Sequence, residues 1–143
     1  VREQLKNSPR NAFLHYLLAE VLIRQGPAAG SPEFRRALAA AEQAVRLQPD
    51  LNLARNLLSR LYFDNGQAKL AIAQCRAVLQ ADPHDPVAIY RLMRALKSSG
   101  DPQAAAELPD LLRRFNEARE LASQKEAQES RYRLVEASAT PRP

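Results

Sequence analysis

At 143 residues the chain has the length of one domain, and its balance of 45% hydrophobic and 26% charged residues is that of a folded protein rather than a disordered one. Ala and Leu dominate the apolar set, Trp is absent and Gly occurs four times, a mixture that favours helix over sheet and gives an all-α class. The net charge of +5 does not gather on one helix as a nucleic-acid reader requires, no apolar run approaches the roughly 20 residues that cross a bilayer, and a single cysteine, Cys75, excludes an internal disulfide.

The charge is divided along the chain. Residues 1–100 hold 14 Lys/Arg against 8 Asp/Glu, and residues 101–143 hold 7 against 8. A modest basic excess of this kind solvates a surface and favours acidic partners. No targeting signal is visible and the chain begins at Val1, so its localisation stays unknown.

Taken in order, the elements are set by an internal period. Pro9, Pro49 and Pro83 are separated by 40 and then 34 residues, and Gly26, Gly66 and Gly100 repeat those gaps, as do Leu18, Leu58 and Leu92. Ala37, Ala71 and Ala105 are instead spaced 34 and 34. The first unit therefore carries six extra residues between Gly26 and Ala37.

Residues 1–9 read as the end of a truncated preceding repeat, because Leu5 precedes Pro9 as Leu79 precedes Pro83; the expectation is a fragment of a longer array. Residues 10–49 form repeat 1, with a six-residue loop insertion at 27–32. Gly26, Pro27, Gly30 and Pro32 stop helices and set turns there, while Ser31 caps the next helix with Pro32 at its first position. The insertion is either a contact site or a tolerated extra loop.

Residues 50–83 form repeat 2. Ala54, Leu58 and Leu61 recur at helical spacing up to Gly66, which supplies a left-handed C-cap. Ala71, Cys75, Val78 and Leu79 then mark a second helix that stops before Pro83. Neither helix is long enough to stand alone, so each packs on its partner and on the next pair.

Residues 84–122 form repeat 3 and a capping helix. Asp101-Pro102 starts its second helix, and Pro109 falls inside it, where a kink or a break into two helices is expected. Leu108, Leu111, Leu112, Phe115, Ala118 and Ala122 make an apolar stripe able to cover the open end of the array. Residues 123–136 form a polar helix extension, solvated or frayed, and 137–143 a disordered tail.

At these residues the chain resembles the tetratricopeptide repeat, whose 34-residue pattern runs W-x2-L-G-x2-Y, then A-x3-F, then P. Repeat 2 offers Leu58-Ser59, Tyr62, Ala71, Cys75 and Pro83. Repeat 1 offers Leu18-Ala19, Leu22, Ala37, Ala41 and Pro49, and repeat 3 offers Leu92-Met93, Leu96 and Ala105. The Trp place holds His15, Arg55 and Ile89. The resemblance implies a right-handed α-solenoid of antiparallel helix pairs that ends here in a long C-terminal helix.

Catalysis has no support in the sequence. His15 and His84 lie in different repeats without metal-site spacing, Asp82 and Asp85 beside His84 read as turn and cap residues, and neither a phosphate loop nor an activated nucleophile is present. No cofactor and no metal is expected.

The resemblance implies instead that the first helix of each pair lines a concave groove that receives a peptide or a partner helix. By register, the groove set is Phe13, Tyr16, Glu20 and Ile23, then Leu53, Asn56, Arg60 and Phe63, then Val87, Tyr90, Arg94 and Lys97. Phe13, Tyr16, Phe63 and Tyr90 offer anchor area, Asn56 a hold on a peptide backbone, and Arg60, Arg94 and Lys97 pairing with acidic groups. Phe63 and Tyr62 have a second reading as packing between helices.

A family subclass grips a partner's terminal carboxylate through Lys, Asn and Arg. The corresponding places here hold Tyr16, Glu20, Leu57, Val87 and Arg91, of which only Arg91 fits, so a chaperone-tail receptor is not expected. The leading expectation is a non-catalytic protein–protein interaction module with an acidic partner. The alternative is a structural segment that self-associates through the helix at 110–136, with Tyr132, Leu134 and Val135 as its apolar end, or through the unpaired face near Val1. Neither nucleic acid nor membrane is an expected partner.

Overall fold

The structure, a computed structural model, describes residues 1–139. It is all-helical in this range: α1 (Arg2–Asn7), α2 (Ala12–Arg24), α3 (Pro32–Leu47), α4 (Asn52–Asp64), α5 (Ala68–Ala81), α6 (Pro86–Ser99) and α7 (Pro102–Ala139). Helices α2/α3, α4/α5 and α6/α7 pack as consecutive antiparallel pairs, and α3 packs on α4 as α5 packs on α6. The result is an α-solenoid.

Local chemistry sets the ends of the helices. Asn11 and Ser31 cap α2 and α3, accepting hydrogen bonds from the amides of Leu14 (3.2 Å) and Phe34 (3.1 Å). Asp85 and Asp101 do the same for α6 and α7. At the end of α4, Gly66 adopts φ 76°, which lets the Gln67 amide reach back to the Tyr62 carbonyl at 2.8 Å. The linkers inside the second and third pairs are short, whereas residues 25–31 separate α2 from α3, where the extra residues of the first unit fall.

The place that a Trp occupies in the repeat pattern is used here for a hydrogen bond. His15 Nε2–H donates to the Pro9 carbonyl at 2.7 Å, and Arg55 Nε–H donates to the equivalent Pro49 carbonyl. Ile89 cannot donate, and in the third pair Arg114, arriving from α7, bonds the Pro83 carbonyl at 3.1 Å. Each inter-repeat turn is thus tied to a helix by a side chain, through two different routes.

Small side chains allow the close packing. Ala19, Ala37, Ala41, Ala44, Ala54, Ala88 and Ala95 are all fully buried, and they let helices approach where larger residues would hold them apart. One core joins α2–α5 around Leu57, Leu58, Leu61 and Tyr62; a second joins α5–α7 around Cys75, Val78, Ile89, Leu92 and Leu111. Helix α2 also approaches α4, and α4 approaches α6, while α3 and α5 do not come together. The first helices of the pairs are therefore drawn toward one another, which curves the array with α2, α4 and α6 on its inner side.

The long C-terminal helix differs from the sequence reading in three respects. It passes through Pro109 without a break. Proline removes the hydrogen bond to the Ala105 carbonyl, but both residues are exposed, so water can serve that carbonyl, and packing of Leu108, Leu111 and Phe115 on the α6 side carries the helix across the gap. The covering stripe is narrower than expected, because Leu112 and Ala122 are exposed while Leu111 and Ala118 are buried. Finally, residues 137–139 of the expected disordered tail continue the helix, and residues 140–143 lie outside the described residues.

Candidate binding groove

Helices α2, α4 and α6 present the side chains assigned to the groove by register. On α2, Phe13 is exposed and its ring lies 5.7 Å from that of Tyr16. The Tyr16 hydroxyl donates to Glu20 Oε1 at 3.1 Å, and burial, followed by the neighbouring carboxylate, raises its pKa above the ordinary tyrosine value. The donor of Tyr16 is therefore engaged within α2, and what this stretch offers a ligand is its aromatic face. Ile23, by contrast, packs on the first core.

On α4, the four expected residues divide. Leu53 is exposed. Asn56 Nδ2–H donates to Asp85 Oδ2 at 2.9 Å, while Asp85 Oδ1 accepts from the amides of Val87 (2.9 Å) and Ala88 (3.3 Å). Asn56 thereby joins α4 to the cap of α6, and its own Oδ1 is buried without a hydrogen-bond partner. Its amide is committed to holding two repeats in register. Arg60 is exposed and reaches Asp64 only loosely, at 3.9 Å.

Phe63, Tyr90 and Arg94 form a stack across α4 and α6. The Arg94 guanidinium lies 4.8 Å from the Phe63 ring centre and 5.8 Å from that of Tyr90, within range of a cation–π contact. Phe63 is half-buried against the first core, whereas Tyr62 is buried outright, its hydroxyl directed to Glu42. The packing reading thus applies to Tyr62, while Phe63 packs on the core and keeps part of its ring at the surface. Val87, Tyr90 and Lys97 are exposed on α6.

Two residues outside the register-based set complete this surface. Arg91 and Ser59 line a pocket of about 330 Å³ together with Arg60, Phe63, Asp64, Tyr90 and Arg94. Arg91 makes no hydrogen bond or ion pair among the described residues, and its Nε is buried without a partner. Burial, then the charge of Arg60, lowers its pKa from the ordinary arginine value. Ser59 is 1% exposed and donates to the Asn56 carbonyl at 2.8 Å. A Ser at the small-residue place of the repeat leaves room between α4 and α6 for this pocket; Arg60 lies far in sequence from Arg91 and Arg94, so no local signal announces their meeting.

A second concavity, of about 570 Å³, lies beside the first and shares Tyr90 and Arg94 with it. Its other walls are Met93 and Lys97 on α6 and Ala105, Leu108, Pro109 and Leu112 on α7. Of these α7 residues the sequence offered Leu108 and Leu112 as part of a covering stripe, Ala105 as a repeat position and Pro109 as a kink or break. Among the described residues, no group of three or more His, Cys, Asp or Glu is placed to hold a metal ion, and no helix is long and apolar enough to cross a membrane.

The family comparison agrees with the geometry. A family model described as the tetratricopeptide repeat matches residues 62–128, which run from the end of α4 through α5 and α6 into α7. No curated protein matches the chain.

Proposed function

We propose that this chain, whose residues 62–128 match the tetratricopeptide repeat model, binds a peptide or a partner helix along the inner face of α2, α4 and α6. The observation that carries the reading is the Phe63–Arg94–Tyr90 stack. It places an aromatic and cationic surface between two repeats, at a pocket where the Nε of Arg91 is buried without a partner and Arg60 meets Asp64 only at 3.9 Å. Aromatic and arginine side chains of this kind are the usual anchors of protein interfaces. With Phe13 and Tyr16 on α2, anchor area is available along three successive repeats, so a partner several residues long can be held at more than one point.

The groove is unevenly charged. Glu20 stands on the α2 side, whereas Arg60, Arg91, Arg94 and Lys97 stand on the α4 and α6 side. A partner with acidic residues toward α6 meets the favourable sign, and charge of this kind fixes orientation as well as affinity.

Random-peptide display on the immobilised chain tests the reading, with a Tyr16→Ala, Arg60→Glu, Arg94→Glu triple variant of unchanged helicity as the control. Peptides retained by the parent and lost from the variant are expected. Equal retention by both would place binding elsewhere on the molecule.

A second reading rests on α7. From Arg119 onward every described residue is exposed, and Tyr132, Leu134 and Val135 are each at least 65% exposed. Such an apolar patch on a projecting helix suits self-association. Light scattering separates the two readings: a dimer that Tyr132→Glu and Val135→Glu convert to monomer favours the second, and a concentration-independent monomer favours the first.

A further inference from the structure

We infer that the two adjoining concavities between α4, α6 and α7 read one short two-part determinant: a side-chain carboxylate held by Arg60, Arg91 and Arg94, with a bulky aliphatic side chain a few residues away seated against Leu108, Pro109 and Leu112. The inference rests on the groove reading above and names the chemistry of the partner.

The first pocket carries three guanidinium groups against one carboxylate, that of Asp64. Asp64 is only loosely engaged, by Arg60 at 3.9 Å. Arg94 is held by ring faces, which leave its N–H edges free to bond in the plane of the group. Arg91 is the informative member. Arg91 is partly buried, its Nε is shut off from water without a hydrogen-bond partner, and a polar group held this way is costly to keep. Its neighbours Arg60 and Arg94 add like charge rather than relief. An incoming carboxylate supplies what the three lack, two acceptor oxygens in a geometry that matches the arginine fork.

The second pocket differs in character. Leu108, Leu112, Met93 and Ala105 give it apolar walls, and Leu112 is 53% exposed there. Pro109 has no N–H to donate to the Ala105 carbonyl, and both residues form part of the wall. A proline at this point therefore leaves a main-chain acceptor beside an apolar seat. Tyr90 and Arg94 belong to both pockets, so the two seats are contiguous and one short segment can occupy both.

The occupant is an internal side chain rather than a chain terminus. The arginine pocket sits in the middle of the groove, with the aromatic surface of α2 on one side and the α7 seat on the other, so a bound chain continues past it in both directions. Aspartate or glutamate fits; a lysine or arginine at the same place meets three like charges.

Fluorescence anisotropy with defined probes tests this. The probes are acetylated, amidated twelve-residue peptides of Ala and Gln, labelled with fluorescein, each with one Glu and one Leu separated by one to four residues. Matched sets carry Gln for Glu, Ala for Leu, or a free C-terminal carboxylate in place of the internal Glu. The proteins are the parent chain, Arg91→Met, the more exposed Arg94→Gln in case the buried substitution disturbs folding, and Leu112→Gln.

At one preferred spacing, Glu→Gln should weaken binding to the parent about tenfold, the size of a charge-assisted hydrogen-bonded pair. The same change should matter less than twofold in Arg91→Met and Arg94→Gln, and Leu→Ala should matter less in Leu112→Gln than in the parent. Equal binding of the Glu and Gln peptides overturns the inference, as does a Glu dependence that survives both arginine variants, a free terminus that replaces the internal Glu without loss, or no binding by any probe at millimolar concentration. In each of those cases the groove reading is judged separately, by whether displayed peptides are still lost from the triple variant.

Discussion

Replacing Asp85 should loosen one end of the solenoid out of proportion to its surface position. Its carboxylate does two jobs at once: Oδ1 caps α6 through the Val87 and Ala88 amides, and Oδ2 receives the Asn56 amide from α4. In Asp85→Ala, loss of the cap costs about 1 kcal/mol. Loss of the acceptor for a half-buried Asn56, whose Oδ1 already has no partner, adds about 1 kcal/mol or slightly more. The total is about 2–3 kcal/mol, a large share of the roughly 5–15 kcal/mol that holds a domain together. Asp85→Asn should cost less than about 1 kcal/mol, because Asn caps nearly as well as Asp and Asn56 can turn its orphaned Oδ1 toward the new amide. Urea denaturation followed by circular dichroism measures these values, and a cycle with Asn56→Ala should give a coupling of about 1 kcal/mol. Since neighbours in a repeat array are coupled pairwise, hydrogen exchange should show α6 and α7 losing protection before α2–α5. A cost for Asp85→Ala below about 0.5 kcal/mol, the size of ordinary surface changes, or a coupling near zero would refute the reasoning.

Other substitutions probe the core and the turns. Leu61→Ala, at a fully buried position of the first core, should cost about 2–5 kcal/mol in urea denaturation. Gly66→Ala should cost about 1 kcal/mol, because φ 76° is unfavourable for any residue with a Cβ, even though nothing lies within 4 Å of the added atom. Cys75 is fully buried, and burial pushes its thiol pKa up, so a thiol reagent at neutral pH should label it only at the rate of unfolding. The sign of its pH effect follows: above about pH 8.5 the unfolded thiol ionises while the native one does not. Its contribution to stability therefore falls as pH rises through that range, and a Cys75→Ala variant should lack this component in urea denaturation at pH 8 and pH 10.

Much of the architecture was readable because it repeats. The 40- and 34-residue gaps between prolines, glycines and leucines put Gly66 and Gly100 at helix ends and Pro49 and Pro83 in the turns between pairs, and the caps at Ser31, Asp85 and Asp101 followed from local hydrogen bonding alone. Readings that depended on one residue's partner at long range were less secure. Asn56 was legible as a groove residue by register, but its tie to Asp85, 29 residues away, is a property of the packed array. Pro109 predicted a kink or a break from its intrinsic cost; an exposed carbonyl and the packing of Leu108, Leu111 and Phe115 keep α7 one continuous helix rather than two. In the sequence Arg91 reads only as one place of a terminal-carboxylate grip; its position beside Arg60 and Arg94 emerges only when α4 and α6 are brought together.

The central claim, that the inner face of α2, α4 and α6 receives the partner, is tested most directly by mapping a displayed peptide on the isotope-labelled chain by nuclear magnetic resonance. The account predicts shifts concentrated at Phe13, Tyr16, Phe63, Tyr90, Arg91 and Arg94, with the exposed second-helix residues Arg36 and Leu70 unmoved. Shifts confined to α3 and α5, or to the projecting end of α7 around Tyr132, would contradict it.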